Sequence, residues 1–358
     1  MSKKADILRI WQECFPADSQ EWKNMFFDAA YCDDDALTIT DEDGTTASSL
    51  LLLPYVMTFH GRRVGMSYVY GAGTLRKYRA KGYMGRLMKE AIAESAERGD
   101  TFLCLIPASE GLRRYYARFG LATVGFTAPT RFTSAHKYIT EGEYSDVEID
   151  PLQLYSDYER LNAARPCAVQ HSRTQFLTVI DDARISGYPM AAVADKETGK
   201  VVAMAWARPE VASEVMRVTE LLAETPDAAV AALAALSRKC PGHPFTVEAY
   251  PADSAIGGNL TPGAMLRTVH ADSALAIIAA ANPKLKLTVR LTDNLLPHNS
   301  GIYRLAGGEV DLLPELPKHG VDLDVTPDVL TSLMFRSAPI ADITGMPACR
   351  PRLTLLLN

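Results

Sequence analysis

The stretch from Val64 to Leu121 constrains the fold of this chain more than any other part of it. It reads as an apolar strand over Val64–Leu75, a basic turn over Arg76–Gly85, a helix, and a second strand over Thr101–Ile106. In the helix, apolar residues recur at every third or fourth position from Met84 onward, which is the spacing of one buried face. Strand, glycine turn, helix and strand is the order in which α/β proteins present backbone N–H groups to a phosphate.

The basic turn is a cationic island in an acidic chain. Six basic residues and no acid occupy the positions from Arg76 to Lys89, whereas all 358 residues together carry a net charge of -6. An exposed helix N-terminus stabilises an anion by about 0.3–1 kcal/mol, and adjacent cations add to that. Gly82 and Gly85 let a ligand approach the main chain closely. The sequence therefore predicts a phosphate site; the alternative is a solvated loop before an ordinary amphipathic helix.

Length and composition narrow the class of protein. With 358 residues, 47% of them hydrophobic, the chain is long enough for two or three domains. Its six cysteines are scattered without a C-x-x-C pair, and its seven histidines show no metal-ligand spacing. We therefore expect a cytoplasmic protein with reduced thiols and no metal. There is no apolar signal segment and no aliphatic run long enough to cross a bilayer. Neither a membrane nor a nucleic acid is expected as a partner.

The turn also resembles the loop of a known family. Arg79-Ala80-Lys81-Gly82-Tyr83-Met84 is similar to the R/Q-x-x-G-x-G/A pyrophosphate loop of the GNAT superfamily of N-acetyltransferases. Met84 departs from the usual small sixth residue, and this departure resembles the enhanced-intracellular-survival (Eis) type, which tolerates a larger aliphatic residue there. Pro107–Gly111 and Tyr116–Gly120 look like the same subgroup, and the resemblance continues more weakly through the whole chain.

The resemblance implies acetyl-CoA as the cosubstrate and direct transfer of its acetyl group to a small-molecule or peptidyl amine. The backbone of Ala72, Gly73 and Thr74 would pair with the pantetheine arm. The pyrophosphate would be cradled by the turn, at Arg79, Ala80, Lys81, Gly82, Met84 and Gly85. Proteins of this type tend to form symmetric oligomers, so a homo-oligomer is expected.

The resemblance also implies an α/β (α+β) fold with tandem GNAT-type domains followed by a sterol-carrier-like α/β domain. The expected parts are a catalytic GNAT domain over 1–135, a second, degenerate GNAT-like domain over 136–262, and the sterol-carrier-like domain over 263–358. The second part repeats a strand, a helix opened by Thr225 and Pro226, and a strand at Phe245–Tyr250. No Arg/Gln-x-x-Gly and no cationic run precede that helix, so we expect no coenzyme there.

Tyr116 is the predicted general acid. The leaving coenzyme A thiolate needs a proton, and a tyrosine with an ordinary pKa of about 10 carries one at neutral pH. Tyr116 lies four residues before Gly120 and matches the tyrosine of the family's F-Y-x-x-x-G-F pattern. The alternative is a core aromatic residue whose hydroxyl is satisfied elsewhere. The neighbouring Tyr115 is expected to face away from the site.

The predicted base is the terminal carboxylate. The strand Met66–Tyr70 carries no Asp or Glu, although many GNAT enzymes place one there. In Eis-type enzymes the chain's own terminal carboxylate serves instead, which here implies that of Asn358. The preceding Leu353–Leu357 is apolar and should be buried, but the family often ends in an aromatic residue, from which Asn358 departs. The alternative is an ordinary last strand.

Three other interpretations bear on function. An acidic cluster over Asp33–Asp43 would attract a polyamine, an aminoglycoside or a lysine, although a solvated loop accounts for it better. Gly71-Ala72-Gly73 is not a dinucleotide fingerprint, because Arg76 stands at the third glycine position. A non-catalytic acyl-CoA sensor or a lipid-binding carrier is the alternative function. The presence of Tyr116 favours catalysis, since binding alone would not need it.

Overall fold

The chain folds into two compact units, each assembled from segments that are distant in sequence. The computed structural model describes residues 2–132, 143–210, 214–249, 260–337, 344–347 and 349–355, with the backbone alone at 128–132 and 248–249. Unit 1 comprises Met1–Ser19, Tyr31–Gly125 and Pro262–Pro351. Unit 2 comprises Gln20–Ala30, Phe126–Thr261 and Arg352–Asn358. Both units contain helices and sheets, which confirms the predicted α/β class.

The regular elements follow the chain in this order. Up to residue 132 they are α1 (Lys3–Cys14), α2 (Gln20–Ala29), β1 (Ala36–Thr40), β2 (Thr46–Phe59), β3 (Arg62–Thr74), α3 (Tyr83–Glu97), β4 (Phe102–Leu105), α4 (Glu110–Ala117), β5 (Ala122–Thr123) and β6 (Phe126–Phe132). From 143 to 249 they are β7 (Tyr144–Val147), α5 (Pro151–Ala163), β8 (Ala168–Gln170), α6 (Arg173–Ser186), β9 (Met190–Asp195), β10 (Val201–Pro209), β11 (Met216–Ala223), α7 (Pro226–Lys239) and β12 (Phe245–Ala249). From 260 onward they are β13 (Thr261–Pro262), β14 (Met265–Thr268), α8 (Ala271–Ala281), β15 (Leu287–Leu291), β16 (Gly301–Ala306), β17 (Glu309–Leu313), β18 (Leu323–Val325) and α9 (Pro327–Met334). Within these ranges, no helix has the length and apolarity needed to span a bilayer.

Unit 1 is built around a sheet in the order β1-β2-β3-β4-β14-β5. β3 and β4 run parallel, whereas the other neighbours are antiparallel. A parallel pair needs a crossover connection, and α3 supplies it. The predicted apolar face of α3, including Leu87, Met88 and Ile92, is fully buried in the core of this unit. The crossover leaves the basic turn at the end of β3, where α3 begins.

β14 is a strand of this sheet that comes from much later in the sequence. The predicted C-terminal domain over 263–358 includes Met265–Thr268. In the structure Leu266 lies opposite Cys104 of β4 and opposite Ala122 of β5. The later strands form a separate four-stranded sheet in the order β17-β16-β15-β18. The predicted boundary at 263 stays a prediction, and strands from both sides of it share one sheet.

Unit 2 repeats the strand–helix–strand order of unit 1. Its sheet contains the strands β6-β12-β11-β10-β9-β7, with β11 and β12 parallel and α7 between them in the chain. α7 begins as predicted, because Thr225 Oγ1 accepts the Ala228 N–H at 3.1 Å and Pro226 takes the first helical position. Only Glu224 and Thr225 separate β11 from α7. There is therefore no basic turn at the start of this helix.

The described part of the apolar C-terminal segment, which ends at residue 355, is buried as predicted. Leu353 and Leu355 are both buried. Arg352 lies beside β8, donating its N–H to the Cys167 carbonyl at 2.9 Å and accepting from the Val169 N–H at 3.1 Å. Asn358 lies outside the described residues, so the role of its carboxylate stays a prediction.

Candidate functional site

The basic turn forms the N-terminus of α3. Gly82 caps the helix with a φ of 80°, and Ala80 also has a positive φ of 64°. The first helical bond runs from the Arg86 N–H to the Gly82 carbonyl at 3.2 Å. The three N–H groups between them have no acceptor within the helix, because their i−4 carbonyls precede it. No acidic side chain stands in this first turn, so the helix terminus is suited to an anion.

The turn has one buried side and one open side. Met84 is half-buried and packs against the core beneath α3, which accounts for a large aliphatic residue at this position. A Cβ atom at Gly82 would meet nothing within 4 Å, so a ligand can reach the backbone there. A Cβ atom at Gly85 would lie 3.6 Å from Tyr115 Oη. The open side of the turn therefore faces α4.

A cationic groove of about 420 Å³ lies between α3 and the C-terminal part of α4. This α3–α4 groove is lined by Gly82, Gly85, Arg86, Lys89, Tyr115, Arg118 and Phe119. The Arg118 guanidinium stacks over the Tyr115 ring, 4.6 Å from its centroid. Within the described ranges, the three basic residues of the groove make no ion pair with an acid. The groove thus offers three uncompensated positive charges and an aromatic wall.

The lysines of the turn are paired with acids of the β1–β2 connection. Lys81 Nζ lies 3.0 Å from Asp41 Oδ1, and Lys77 Nζ lies 3.1 Å from Asp43 Oδ2. Tyr83 donates its hydroxyl to Asp41. The hydrogen bonds from Tyr83 and Lys81 lower the pKa of Asp41, so its charge persists at neutral pH. The charges of these two acids are therefore partly compensated by lysines, which weakens their attraction for a cationic acceptor.

β3 and β4 diverge beside the turn. They pair from Met66 opposite Phe102 to Tyr68 opposite Cys104, and β3 then continues to Thr74 without a partner from β4. On its other edge, the register with β2 shifts between Ser49 and Leu51, which marks a bulge in β3. The strands therefore leave an opening along the last residues of β3.

The residues predicted to hold the pantetheine arm lie along this opening. The Gly73 carbonyl accepts from Ser48 Oγ at 3.0 Å, and the Thr74 carbonyl accepts from Arg79 Nε at 3.1 Å. Arg79 is therefore tied to the strand that precedes the turn. A Cβ atom at Gly71 would lie 2.1 Å from the Trp11 ring, so α1 can pack on the bulge only because residue 71 is glycine.

Tyr116 lies in the core at the same opening. Its ring is buried in a cluster that includes Val69 of β3 and Leu105 of β4. Its hydroxyl makes no hydrogen bond to any residue of the described part of the chain. Burial, with a smaller effect of Tyr115, raises the pKa of Tyr116 to about 12. The hydroxyl therefore carries its proton at neutral pH and can donate it to a ligand.

Tyr115 lines the groove, although it was expected to face away from the site. Its ring lies 5.4 Å from that of Phe119. Arg118 and Phe119 are groove residues that sequence reasoning missed. The i, i+3 and i+4 spacing from Tyr115 was the available signal, because residues so spaced share one side of a helical turn.

Neither a cysteine nucleophile nor a metal site has support among the described residues. Cys104 is fully buried in β4, and burial raises the pKa of its thiol, so the nucleophilic thiolate is disfavoured. Among the described residues, no three His, Cys, Asp or Glu side chains gather as metal ligands do.

Comparison with known proteins identifies the part of the chain that carries this site. Residues 2–124 match the family model described as an acetyltransferase (GNAT) domain. No curated protein sequence matches the chain.

Solved structures resemble the chain over nearly its full length. Eis1 from Mycobacterium abscessus is 16% identical, with a TM-score of 0.74 over 99% of this chain and 98% of that one. A GCN5-related N-acetyltransferase from Kribbella flavida is 16% identical, with a TM-score of 0.74 over 98% and 96%. Another from Anabaena variabilis is 15% identical, with a TM-score of 0.76 over 99% and 97%. At these identities the likeness is one of fold. Residues 2–124 therefore match the model of an acetyltransferase (GNAT) domain, in a chain with the fold of Eis1 and of these GCN5-related N-acetyltransferases.

Proposed function

We propose that this protein transfers the acetyl group of acetyl-CoA to an amine by direct attack, with Tyr116 as general acid. One observation carries the proposal: the helix terminus at Gly82 lines a cationic groove, and it closely follows the end of β3, where that strand no longer pairs with β4. Acetyl-CoA has phosphates at one end and a thioester at the end of a long arm. The two ends of the site have chemistries that suit the two ends of this molecule.

The phosphates would bind at the turn and in the α3–α4 groove. The pyrophosphate would accept hydrogen bonds from the N–H groups after Gly82 that have no acceptor within the helix, as anions do at helix N-termini. Arg86, Lys89 and Arg118 would balance the remaining negative charge, that of the ribose phosphate included. The arm would then follow the backbone of Ala72–Thr74 toward Tyr116.

The transfer itself needs one acid and one base. The nitrogen of a neutral amine attacks the thioester carbonyl carbon, a C–N bond forms, and the C–S bond breaks. The leaving thiolate takes the proton of the Tyr116 hydroxyl, and water returns a proton to the tyrosinate. The attacking nitrogen loses its extra proton to a base, for which the Asn358 carboxylate, acting directly or through a water, is the candidate. Burial of Tyr116 keeps its proton in place until the thiolate develops.

The acceptor class is an amine, either a small molecule or a peptidyl group. Asp41 and Asp43 are engaged by Lys81 and Lys77, so they give no reason to prefer a polycation. A homo-oligomer, a cytoplasmic location and a sterol-carrier-like C-terminal part remain predictions from the family resemblance.

Turnover of acetyl-CoA against a panel of amines tests the proposal. Release of free coenzyme A thiol is followed with a polyamine, an aminoglycoside and a lysine peptide, alongside the thermal stabilisation that acetyl-CoA produces. We expect stabilisation in every case and thiol release with at least one amine. Stabilisation without thiol release on any amine would favour the sensor or carrier alternative. Absence of both would contradict a coenzyme site at Gly82.

A further inference from the structure

Arg267 is a buried arginine of β14 whose guanidinium reaches the end of α4. Only 1% of the residue is exposed. Its Nη1 donates to the Phe119 carbonyl at 2.7 Å, and its Nη2 donates to both carboxylate oxygens of Asp293 at 2.6 Å. A buried ion pair is often no more stabilising than apolar residues of the same volume. Stability alone therefore does not account for an arginine here.

Gly120 is the counterpart of this contact on the α4 side. It has a φ of 75°, and a Cβ atom at this position would lie 2.0 Å from Arg267 Nη1. Any side chain at residue 120 would displace the guanidinium from the Phe119 carbonyl. The glycine of the tyrosine motif is thus required by the approach of Arg267 as well as by the backbone conformation.

The guanidinium is held from the opposite side by a fixed carboxylate. Asp293 Oδ1 accepts the N–H groups of Leu295 and Leu296, both at 3.0 Å. Asp293 Oδ2 accepts from Asn299 Nδ2 at 3.1 Å, and Asn299 in turn accepts the Ala271 N–H at 2.9 Å. Every member of this network lies in unit 1. Arg267 therefore connects the end of α4 to an anchored network rather than to a mobile side chain.

The two Nη groups of Arg267 are hydrogen-bonded to these two partners, but its third nitrogen is not. Its Nε is buried without a hydrogen-bond partner, so the side chain is placed for the contacts of its Nη groups. Phe119 follows Tyr116 by less than one helical turn, and its N–H donates to the Tyr116 carbonyl at 2.9 Å. A displacement of the Phe119 carbonyl is thereby passed to the backbone of Tyr116.

We infer that Arg267 is a positioning residue for Tyr116 in acetyl transfer, acting through the Phe119 carbonyl with Asp293 as its anchor. This inference rests on the function proposed above. Misplacing a reacting group by about 1 Å can lower a rate by roughly 100-fold. An arginine that fixes the backbone beside the general acid would therefore affect the rate without touching the substrate.

The test compares Arg267→Lys with a matched control. Lysine keeps the charge beside Asp293 but has no second arm for the Phe119 carbonyl. Thr331→Val is the control. Thr331 Oγ1 is buried and forms a 2.8 Å hydrogen bond with Thr268 Oγ1, next to Arg267 on β14, without reaching α4.

Both variants are assayed well below their melting temperatures. We expect Arg267→Lys to lower kcat by roughly tenfold to 100-fold, with less change in the Kd of acetyl-CoA, because the N–H groups of α3 bind the phosphates. Thr331→Val should melt earlier and keep its kcat.

The double variant Arg267→Lys, Tyr116→Phe separates positioning from a general loss of structure. If Arg267 acts through the Tyr116 hydroxyl, kcat of the double variant should lie within about twofold of Tyr116→Phe alone. Fully additive losses, or a kcat in Arg267→Lys no lower than in Thr331→Val, would overturn the inference.

If Arg267→Lys does not fold, the variant Asp293→Asn tests the inference in its place. It leaves the Phe119 contact but loosens its anchor, so an undiminished kcat would overturn the inference. Absence of turnover in the wild type is a different result, because it overturns the proposed function itself.

Discussion

Lys81 Nζ lies 3.0 Å from Asp41 Oδ1, so the basic turn and the acidic cluster that precedes it in the sequence form one electrostatic unit. Asp43 pairs with Lys77 in the same way and also accepts from the Tyr78 hydroxyl at 2.7 Å. The acids hold the turn in its folded position, and they cancel part of the positive charge that a phosphate would meet. The groove cations Arg86, Lys89 and Arg118 have no such acidic partner in the described part of the chain.

Asp41→Asn should speed the association of acetyl-CoA. Hydrogen bonds from Tyr83 and Lys81 lower the pKa of Asp41, so the wild-type turn carries this negative charge across the neutral range. Its removal raises the attraction for an anionic ligand, and charges at the rim of a site act mainly on the association rate. We expect a rate constant about two- to fivefold higher at low salt, with the gain lost at high salt. Stopped-flow binding at two ionic strengths measures this rate constant.

Glu309→Gln is the control, because it makes the same charge change at an exposed position on β17, and it should not alter the rate. Equal rates in both variants would contradict the prediction.

Gly82→Asp should abolish the thermal stabilisation that acetyl-CoA produces. A carboxylate at the helix N-terminus would occupy the anion site and would repel the phosphates of acetyl-CoA. Gly82→Asn is the matched control, because asparagine has the same shape and tolerates a positive φ. The control should melt at a similar temperature without ligand and keep most of the ligand-dependent shift. If the two variants respond alike to acetyl-CoA, the assignment of the turn as the phosphate site is wrong.

The turn was predictable from the sequence because its signals are local. The apolar period beginning at Met84 and the glycines beside it predict a helix here, and α3 begins at Tyr83, inside the predicted turn of Arg76–Gly85. The α3–α4 groove was not predictable in full, since it depends on how closely Tyr115 and Arg118 approach α3. The pairing of Lys81 with Asp41 and of Leu266 with Cys104 joins residues far apart in sequence. No local pattern specifies such partners.

Because His171 is buried, we expect unit 2 to be less stable in acid than at neutral pH. Burial lowers the pKa of His171 below its ordinary value, an effect larger than the opposing bond to the Thr354 carbonyl and the charge of Glu220. The unfolded chain then binds a proton more readily than the folded one. The contribution to stability is complete above about pH 6.5 and declines as the pH falls below that value. The Tm of wild type should therefore drop more steeply between about pH 7 and pH 5 than that of His171→Gln, which has no proton to gain. Parallel Tm profiles would contradict this role.

Extending the chain past Asn358 with a short polar tag should lower activity. The segment at Arg352 and Thr354 is tied to its unit by backbone bonds and by His171, 3.0 Å from the Thr354 carbonyl. An extension would therefore displace the terminal charge rather than shift the whole segment. We expect kcat to fall at least roughly tenfold, and by up to the roughly 10²–10⁴ of a fully lost acid–base group, while acetyl-CoA binds nearly normally. An N-terminal tag is the control. If the extended protein works as fast as the native one, another side chain or a relayed water is the base.

Tyr116→Phe should lower kcat by roughly 10²–10⁴, the range for a lost acid–base group. The Kd of acetyl-CoA should change little, because the proposed phosphate site lies at the turn and in the groove, away from the Tyr116 hydroxyl. Tyr115→Phe is the matched control: it removes a hydroxyl from the adjacent residue of the same helix, and Tyr115 lines the groove instead of the opening of β3 and β4. This control should keep kcat within about threefold of wild type, since it leaves the acid in place. A loss of kcat in Tyr115→Phe that exceeds the loss in Tyr116→Phe would reassign the acid to the groove tyrosine.

The pH dependence of kcat gives an independent test of the same residue. A general acid works only while it is protonated, so a higher pKa moves the alkaline decline of kcat to higher pH. Burial raises the pKa of Tyr116 to about 12, whereas an unperturbed tyrosine loses its proton at about pH 10. With a saturating amine, kcat should rise as the amine loses its proton and should not decline through about pH 10. Assays that return the protein to neutral pH after each exposure separate titration from denaturation. A decline of kcat centred at about pH 10 that reverses on return to neutral pH would mean that the acid is a solvent-exposed group, and that Tyr116 in its buried position does not supply the proton.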